Sequence, residues 1–235
     1  MPKRTASQRI KPSPAIMALA KSANRAAANS KRLRAGRSTE APFSPPEDWY
    51  EPTETGQADG RFRVIRQDPG IGYRHAVTEA EIRDRLSQLP DWMLKPLEAV
   101  QLSRMTRKKQ TFPCYGMQWG SVLYLYPLES SLVEEFDRPP QPQVFNEAKM
   151  YGGRWQQSDG TRWQLIWTPA TLRDFYLNNI LIHELGHLLD DRNTSYTDRE
   201  RFAEWFAIEH GYQAENRAAR ARRAVKRIRK RHHSK

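Results

Sequence analysis

The sequence predicts an α+β fold: a small twisted mixed sheet packed on one buried helix, a second helix closing over it, and disordered basic tails. Three observations predict it. Short apolar or alternating runs, bounded by Gly and Pro, recur between residues 61 and 167 and read as strands. One long run, from Thr171 to Leu189, is apolar on nearly every face, as a buried helix is. The charge is also unevenly divided. Residues 1–40 hold ten Lys/Arg against Glu40 alone, and residues 214–235 hold ten against Glu215 alone. The stretch 41–213 has 19 basic and 25 acidic residues, so the net +12 conceals an acidic body between two cationic ends. The chain divides into three parts: a basic tail and Pro-rich linker over 1–60, a folded domain over 61–211, and a basic tail or helix over 212–235.

Each element has its own signal. Pro42, Pro45, Pro46 and Pro52 with Gly56 and Gly60 mark the linker. Residues 61–66, Arg-Phe-Arg-Val-Ile-Arg, alternate like a half-buried strand. Thr78, with Glu79 and Glu81 after it, opens a helix that ends near Leu89, where Pro90 stops it. Residues 100–104 form a second strand, and 120–126 a third, nearly all apolar and hence central. Four of the residues in 127–148 are proline, which predicts an irregular excursion. Residues 154–157 and 162–167 form a hairpin around the turn Ser158-Asp-Gly160. The long helix begins near Thr171. A second helix starts with Asp198 as N-cap, carries Phe202, Ala203, Phe206 and Ala207, and ends at Gly211; the Ala/Arg-rich stretch beyond could continue as an exposed basic helix.

Several function classes fall away. No stretch approaches the roughly 20 apolar residues of a membrane helix, and the N-terminal segment lacks a signal peptide's apolar core. The single cysteine, Cys114, excludes an internal disulfide framework. An intracellular, cytoplasmic setting is expected. The tails read as nucleic-acid-binding arms over 1–40 and 214–235; solvated ends, or an organellar transit peptide for the first of them, are the competing readings. Gly70-Ile-Gly72 and Gly152-Gly153 are turn glycines, not a phosphate loop, and Cys114 carries no nucleophile signature.

The chemistry lies in His183-Glu184-Leu185-Gly186-His187. On an α-helix, i and i+4 are about 40° apart around the axis, so both imidazoles can point at one Zn²⁺. Glu184, beside the first histidine, can reach a water at that metal and act as general base. Two core histidines with a buried glutamate would be costly: an unpaired buried carboxylate costs several kcal/mol, and no Lys or Arg stands one turn away. Gly186 costs about 1 kcal/mol in mid-helix, which fits a place where another helix or the metal site presses close. A catalytic zinc needs a third protein ligand. The downstream helix offers Glu200 and Glu204, on one face, and periodicity does not choose between them. Glu200, in the first turn after a short loop, is favoured by position and by the helix dipole. Asp190 and Asp191, unfavourably placed at a helix C-terminus, are either a partner for His187 or a solvated pair on a loop.

The run His183-Glu-Leu-Gly-His187, a short loop and then Glu200-Arg-Phe-Ala-Glu204-Trp-Phe-Ala207 resembles the gluzincin metallopeptidases, notably the anthrax lethal factor–like branch. The resemblance covers about residues 183–207. It implies a zincin-like fold, Zn²⁺ on His183, His187 and Glu200, Glu184 as base, Glu204 orienting a ligand histidine, and Tyr196 steadying the oxyanion. An edge strand that pairs with an extended peptide is implied too, and the hairpin strand 162–167 is the expected one. DNA-linked proteases of the SprT/Spartan type also join such a helix to basic tails, but they use a third histidine; here none occurs between 188 and 209, and His210 lies at the far end of the second helix. The expectation is a zinc metallopeptidase acting on a protein or peptide, tethered to nucleic acid by its tails. The alternative is a nucleic-acid-binding protein whose zincin-like domain is structural or regulatory.

Overall fold

The computed structural model describes residues 46, 47, 50, 62–111, 114–214 and 216. The basic segment 1–40, nearly all of the Pro-rich linker and the basic stretch from 217 onward lie outside the described residues, so the tail readings are carried by sequence alone.

The domain is α+β. Its main sheet has the order β1 (Arg63–Arg66), β3 (Ala99–Leu102), β5 (Val122–Leu125), β4 (Gly116–Trp119). The first three strands are parallel and β4 is antiparallel to β5. The sheet is therefore mixed, and β5 is central, as its unbroken apolar run predicts. Its residues alternate between two clusters. Leu123 and Leu125 face the main core with Leu181 and Leu185, while Val122 and Tyr124 face a smaller cluster with Tyr50, Met117 and Trp119. Strand β2 (Tyr73–Arg74) pairs with β6 (Leu128–Glu129). A second sheet holds β7 (Val133–Phe136), β9 (Arg162–Ile166) and β8 (Arg154–Asp159), with β9 in the middle. That order narrows one expectation. Strand 162–166 is bonded on both sides, so within the hairpin only β8 offers an edge to a peptide.

The helices are α1 (Glu79–Ser87), α2 (Asp91–Leu94), α3 (Arg107–Thr111), α4 (Pro142–Met150), α5 (Pro169–Phe175), α6 (Leu181–Leu189) and α7 (Tyr196–Ala207). Helix α1 opens on a full capping box, Thr78 with Glu81, as the sequence implies. The expected excursion over 127–148 is instead ordered. It carries β6, β7 and α4, with Pro142 in the first turn, where the missing N–H is harmless. The long helix enters through a capping box at Thr168 and Thr171, with Pro169 in its first turn. A π-helical turn, Tyr176–Ile180, joins α5 to α6 and inserts one residue, which rotates the side chains of α6 by about 100° around the axis. Helix α7 is capped by Ser195, not Asp198. Ser195 Oγ accepts from the Asp198 N–H at 3.1 Å, and Asp198 lies in the first turn. Gly211 does not end the helix. It lies inside a second π turn, Ile208–Tyr212, because a Cβ there would stand 1.8 Å from the Asn178 carbonyl oxygen. Among the described residues no helix is long and apolar enough to cross a membrane.

Candidate metal centre

Helix α6 is buried through Leu181, Ile182 and Leu185 and packs on β4, β5 and α7. At Gly186 a Cβ would meet Ala203 Cα and Phe206 Cβ at 3.1 Å, so the glycine permits the close approach of α6 and α7 that its sequence position implies. A guanidinium nitrogen of Arg199 donates to the His187 carbonyl at 3.2 Å, which fixes the first turn of α7 against the end of α6. Asp190 organises the loop between them. Its Oδ1 accepts from the Asn193 N–H at 3.1 Å, the Asn193 side chain at 2.9 Å and the Arg192 N–H at 3.4 Å. Burial pushes its carboxyl up, but these bonds outweigh it and hold it below the usual range. The solvated-loop reading holds for Asp191, exposed beside Arg192, and fails for Asp190, a buried loop staple.

The outcome is a convergence of three side chains. His187 Nε2 lies 3.1 Å from His183 Nε2, 3.4 Å from Glu200 Oε1, and His183 Nε2 lies 3.7 Å from Glu200 Oε2. Ligands about 2.0–2.1 Å from a tetrahedral ion stand about 3.3 Å apart, within this spread. Two imidazole nitrogens aimed at each other can hold only one proton between them; a cation satisfies both lone pairs and the carboxylate together. Among the described residues, His183, His187 and Glu200 are the group that could hold a metal ion. The charges are matched. Burial would raise the Glu200 carboxyl, but hydrogen bonds from both histidines pull it down to about 2. Burial would lower His183, and the carboxylates of Glu200 and Glu184 raise it instead.

Glu184 is buried and pushed upward by desolvation, against the pull of His183, His187 and, further off, Lys109. Its wall is β4. A Cβ at Gly116 would lie 2.8 Å from both Glu184 Cγ and Oε1, and 2.7 Å from Ile180 Cγ2. Gly116 thus lets β4 cross the motif helix at the glutamate, a role the sequence reading missed. A signal was there: Gly120-Ser121, with Gly120 at φ +58°, separates two apolar-containing runs by two residues, which marks a hairpin.

The remaining residues are placed less as expected. Glu204 Oε1 accepts from Gln143 Nε2 of α4 at 2.6 Å, so its hydrogen bond goes to Gln143 and not to a histidine. Burial raises its carboxyl, with Glu147 and Glu200 adding to the effect. Tyr196 is the first residue of α7, 39% exposed and one turn before Glu200 on the same face. The His210 ring packs on Phe206, with ring centroids 4.4 Å apart, away from the ligand set. Comparison of the chain with protein-family models, curated proteins and solved structures finds no match.

Proposed function

We propose that the chain is a zinc-dependent metallopeptidase. The observation that carries this reading is the convergence of His183, His187 and Glu200, their ligand atoms 3.1–3.7 Å apart, with the buried carboxylate of Glu184 next in sequence to the first of them. Two imidazoles and one carboxylate form a donor set suited to catalytic Zn²⁺, and His183, His187 and Glu200 would hold it. Zinc held there would supply Lewis acidity toward water and toward a substrate carbonyl. Glu184 takes the proton of the attacking water and delivers it to the leaving amine nitrogen. Its desolvated setting favours the proton-accepting role, because burial raises its basicity. Tyr196, on the ligand face of α7, is the proposed donor to the developing oxyanion. The peptide lies along β4, one of the two edge strands of the main sheet, whose Gly116 lies against Glu184. This strand is preferred to the hairpin because it adjoins Glu184; the inner hairpin strand, β9, has no free edge.

The acidic body between two cationic ends favours a second component: binding of nucleic acid through residues 1–40 and 214–235, which would tether the enzyme. In the rival reading the same tails belong to a nucleic-acid-binding protein with a structural metal domain. One experiment separates them: metal content and digestion of a broad peptide library, on wild type beside Glu184→Gln. The variant is expected to keep zinc and fold and to lose hydrolysis by about 10²–10⁴-fold or more. Loss of metal from the folded variant would make Glu184 a ligand and overturn the mechanism. A zinc-loaded wild type that cleaves nothing in the library would favour the structural reading.

A further inference from the structure

Cys114 is the chain's only cysteine and lies half-buried between α3 and β4. Lys109, on α3, is 4% exposed, and its Nζ donates to Cys114 Sγ at 2.9 Å. The same nitrogen sits 4.0 Å from the centroid of the Tyr126 ring. Among the described residues no carboxylate is in ion-pair contact with Lys109: Glu47 lines the same cavity and Glu184 feels its charge, but its direct contacts are the sulfur and the ring face. A desolvated ammonium needs a compensating anion, and a sulfur in hydrogen-bond contact supplies one as the thiolate. Tyr126 completes the pocket. Its side chain is buried, and its hydroxyl has no hydrogen-bond partner. Burial holds that hydroxyl protonated, and the charges of Cys114, Tyr124 and Glu184 reinforce it. Lys109 thus bridges the sulfur and a ring that carries an unused O–H donor.

We propose that Cys114 is a modification site for hydroperoxides, a thiolate held by Lys109 whose oxidised form is received by Lys109 and Tyr126. The sulfur attacks one peroxide oxygen. An S–O bond forms, the O–O bond breaks, and sulfur gives two electrons to the departing oxygen, which leaves as hydroxide or alkoxide and takes a proton from solvent. The product is a sulfenic acid, which as sulfenate accepts hydrogen bonds from the Lys109 ammonium and from the Tyr126 hydroxyl. A buried donor without a partner is costly, and the added oxygen gives it one. This inference is independent of peptidase activity and of bound metal.

The test uses the full chain, hydrogen peroxide and trapping of sulfenic acid with dimedone, read by mass spectrometry; with one cysteine the adduct has a single address. Native Cys114 is expected to form it at least about tenfold faster near neutral pH than the same chain in denaturant, because only the thiolate attacks. Lys109→Met should bring the rate down to the denatured value, and Lys109→Arg should retain most of it. Tyr126→Phe should leave the first oxidation unchanged and hasten conversion to sulfinic acid. Equal rates for native and denatured chain overturn the proposal, as does a folded Lys109→Met protein that reacts as fast as native. If Lys109→Met does not fold, the native-to-denatured ratio and the Arg variant decide. An unchanged sulfenate lifetime in Tyr126→Phe removes Tyr126 from the site.

Discussion

The third ligand is decided by which carboxylate the folded chain turns toward the histidines. Glu200 contacts both ring nitrogens, at 3.4 and 3.7 Å, whereas Glu204, one turn later, is taken up by Gln143 at 2.6 Å. Removing Glu200 leaves two histidines, too few donors to hold zinc against a mild chelator. Glu200→Ala is therefore expected to lose the metal on dialysis against such a chelator, with zinc affinity down by far more than about 100-fold. Glu204→Ala acts only through charge near His183 and is expected to cost less than about tenfold, below the usual effect of removing a direct partner of a ligand histidine. Competition with a chromogenic chelator measures both. A metal-free Glu204→Ala beside a metal-bound Glu200→Ala would reverse the assignment.

At the scale of elements, two π turns meet: Gly211 in one lies against the Asn178 carbonyl in the other. Arg85 of α1 clamps the pair, donating to Asn178 Oδ1 and to the His210 carbonyl, each at 2.6 Å. A methyl group at 211 would meet backbone, which cannot rotate aside. Gly211→Ala is accordingly expected to destabilise by about 1–3 kcal/mol or more, read as a lower urea midpoint; an unchanged midpoint would mean that the turns separate freely. This glycine also shows why part of the fold was not legible in the sequence. Glycine most often punctuates, so Gly211 reads as a helix end, yet it and Gly116 both serve close approach between distant segments. Such proximity has no local signature. Features written within a few residues were legible: the Thr78–Glu81 capping box, the hairpin turn at Gly160, and the i,i+4 histidines. The Ser195 cap was missed because Asp198 is an equally good capping type three residues on, and the loop length decided between them. Strand β7 and helix α4 were hidden by four prolines that lie just outside or in the first turn of regular elements.

At the scale of the whole molecule, Glu134 is a buried acid whose ionisation opposes folding, as Glu184 is beside the histidines. Glu134 of β7 accepts hydrogen bonds from Trp167 Nε1 at 2.8 Å and the Tyr115 hydroxyl at 3.0 Å, tying the second sheet to the segment that leads into β4. Burial raises its carboxyl from 4.5 to about 7, against the lowering effect of those two bonds. Between these values the unfolded chain gives up the proton and the native chain keeps it, so stability falls as pH rises through the window, by about 3 kcal/mol in all. Glu134→Gln keeps an acceptor for both donors and should flatten the fall between pH 5 and 7.5 in urea titrations; a persisting slope would place its origin elsewhere. Charge at larger scale belongs to the ends. The body, at net −6, repels a polyanion, while each cationic end carries ten Lys/Arg. Binding to duplex DNA should therefore be indifferent to sequence and steeply salt-dependent, with log K falling by about 0.9 per phosphate neutralised for each unit of log salt. Deleting 214–235 removes half of that cationic charge and should reduce the slope markedly, whereas neutralising Lys/Arg within the acidic body should hardly change it. Fluorescence anisotropy at several salt concentrations, on the full chain and on forms lacking either end, measures the slopes. An affinity that survives removal of both ends would leave them as solvated charge and put the binding surface on the folded domain.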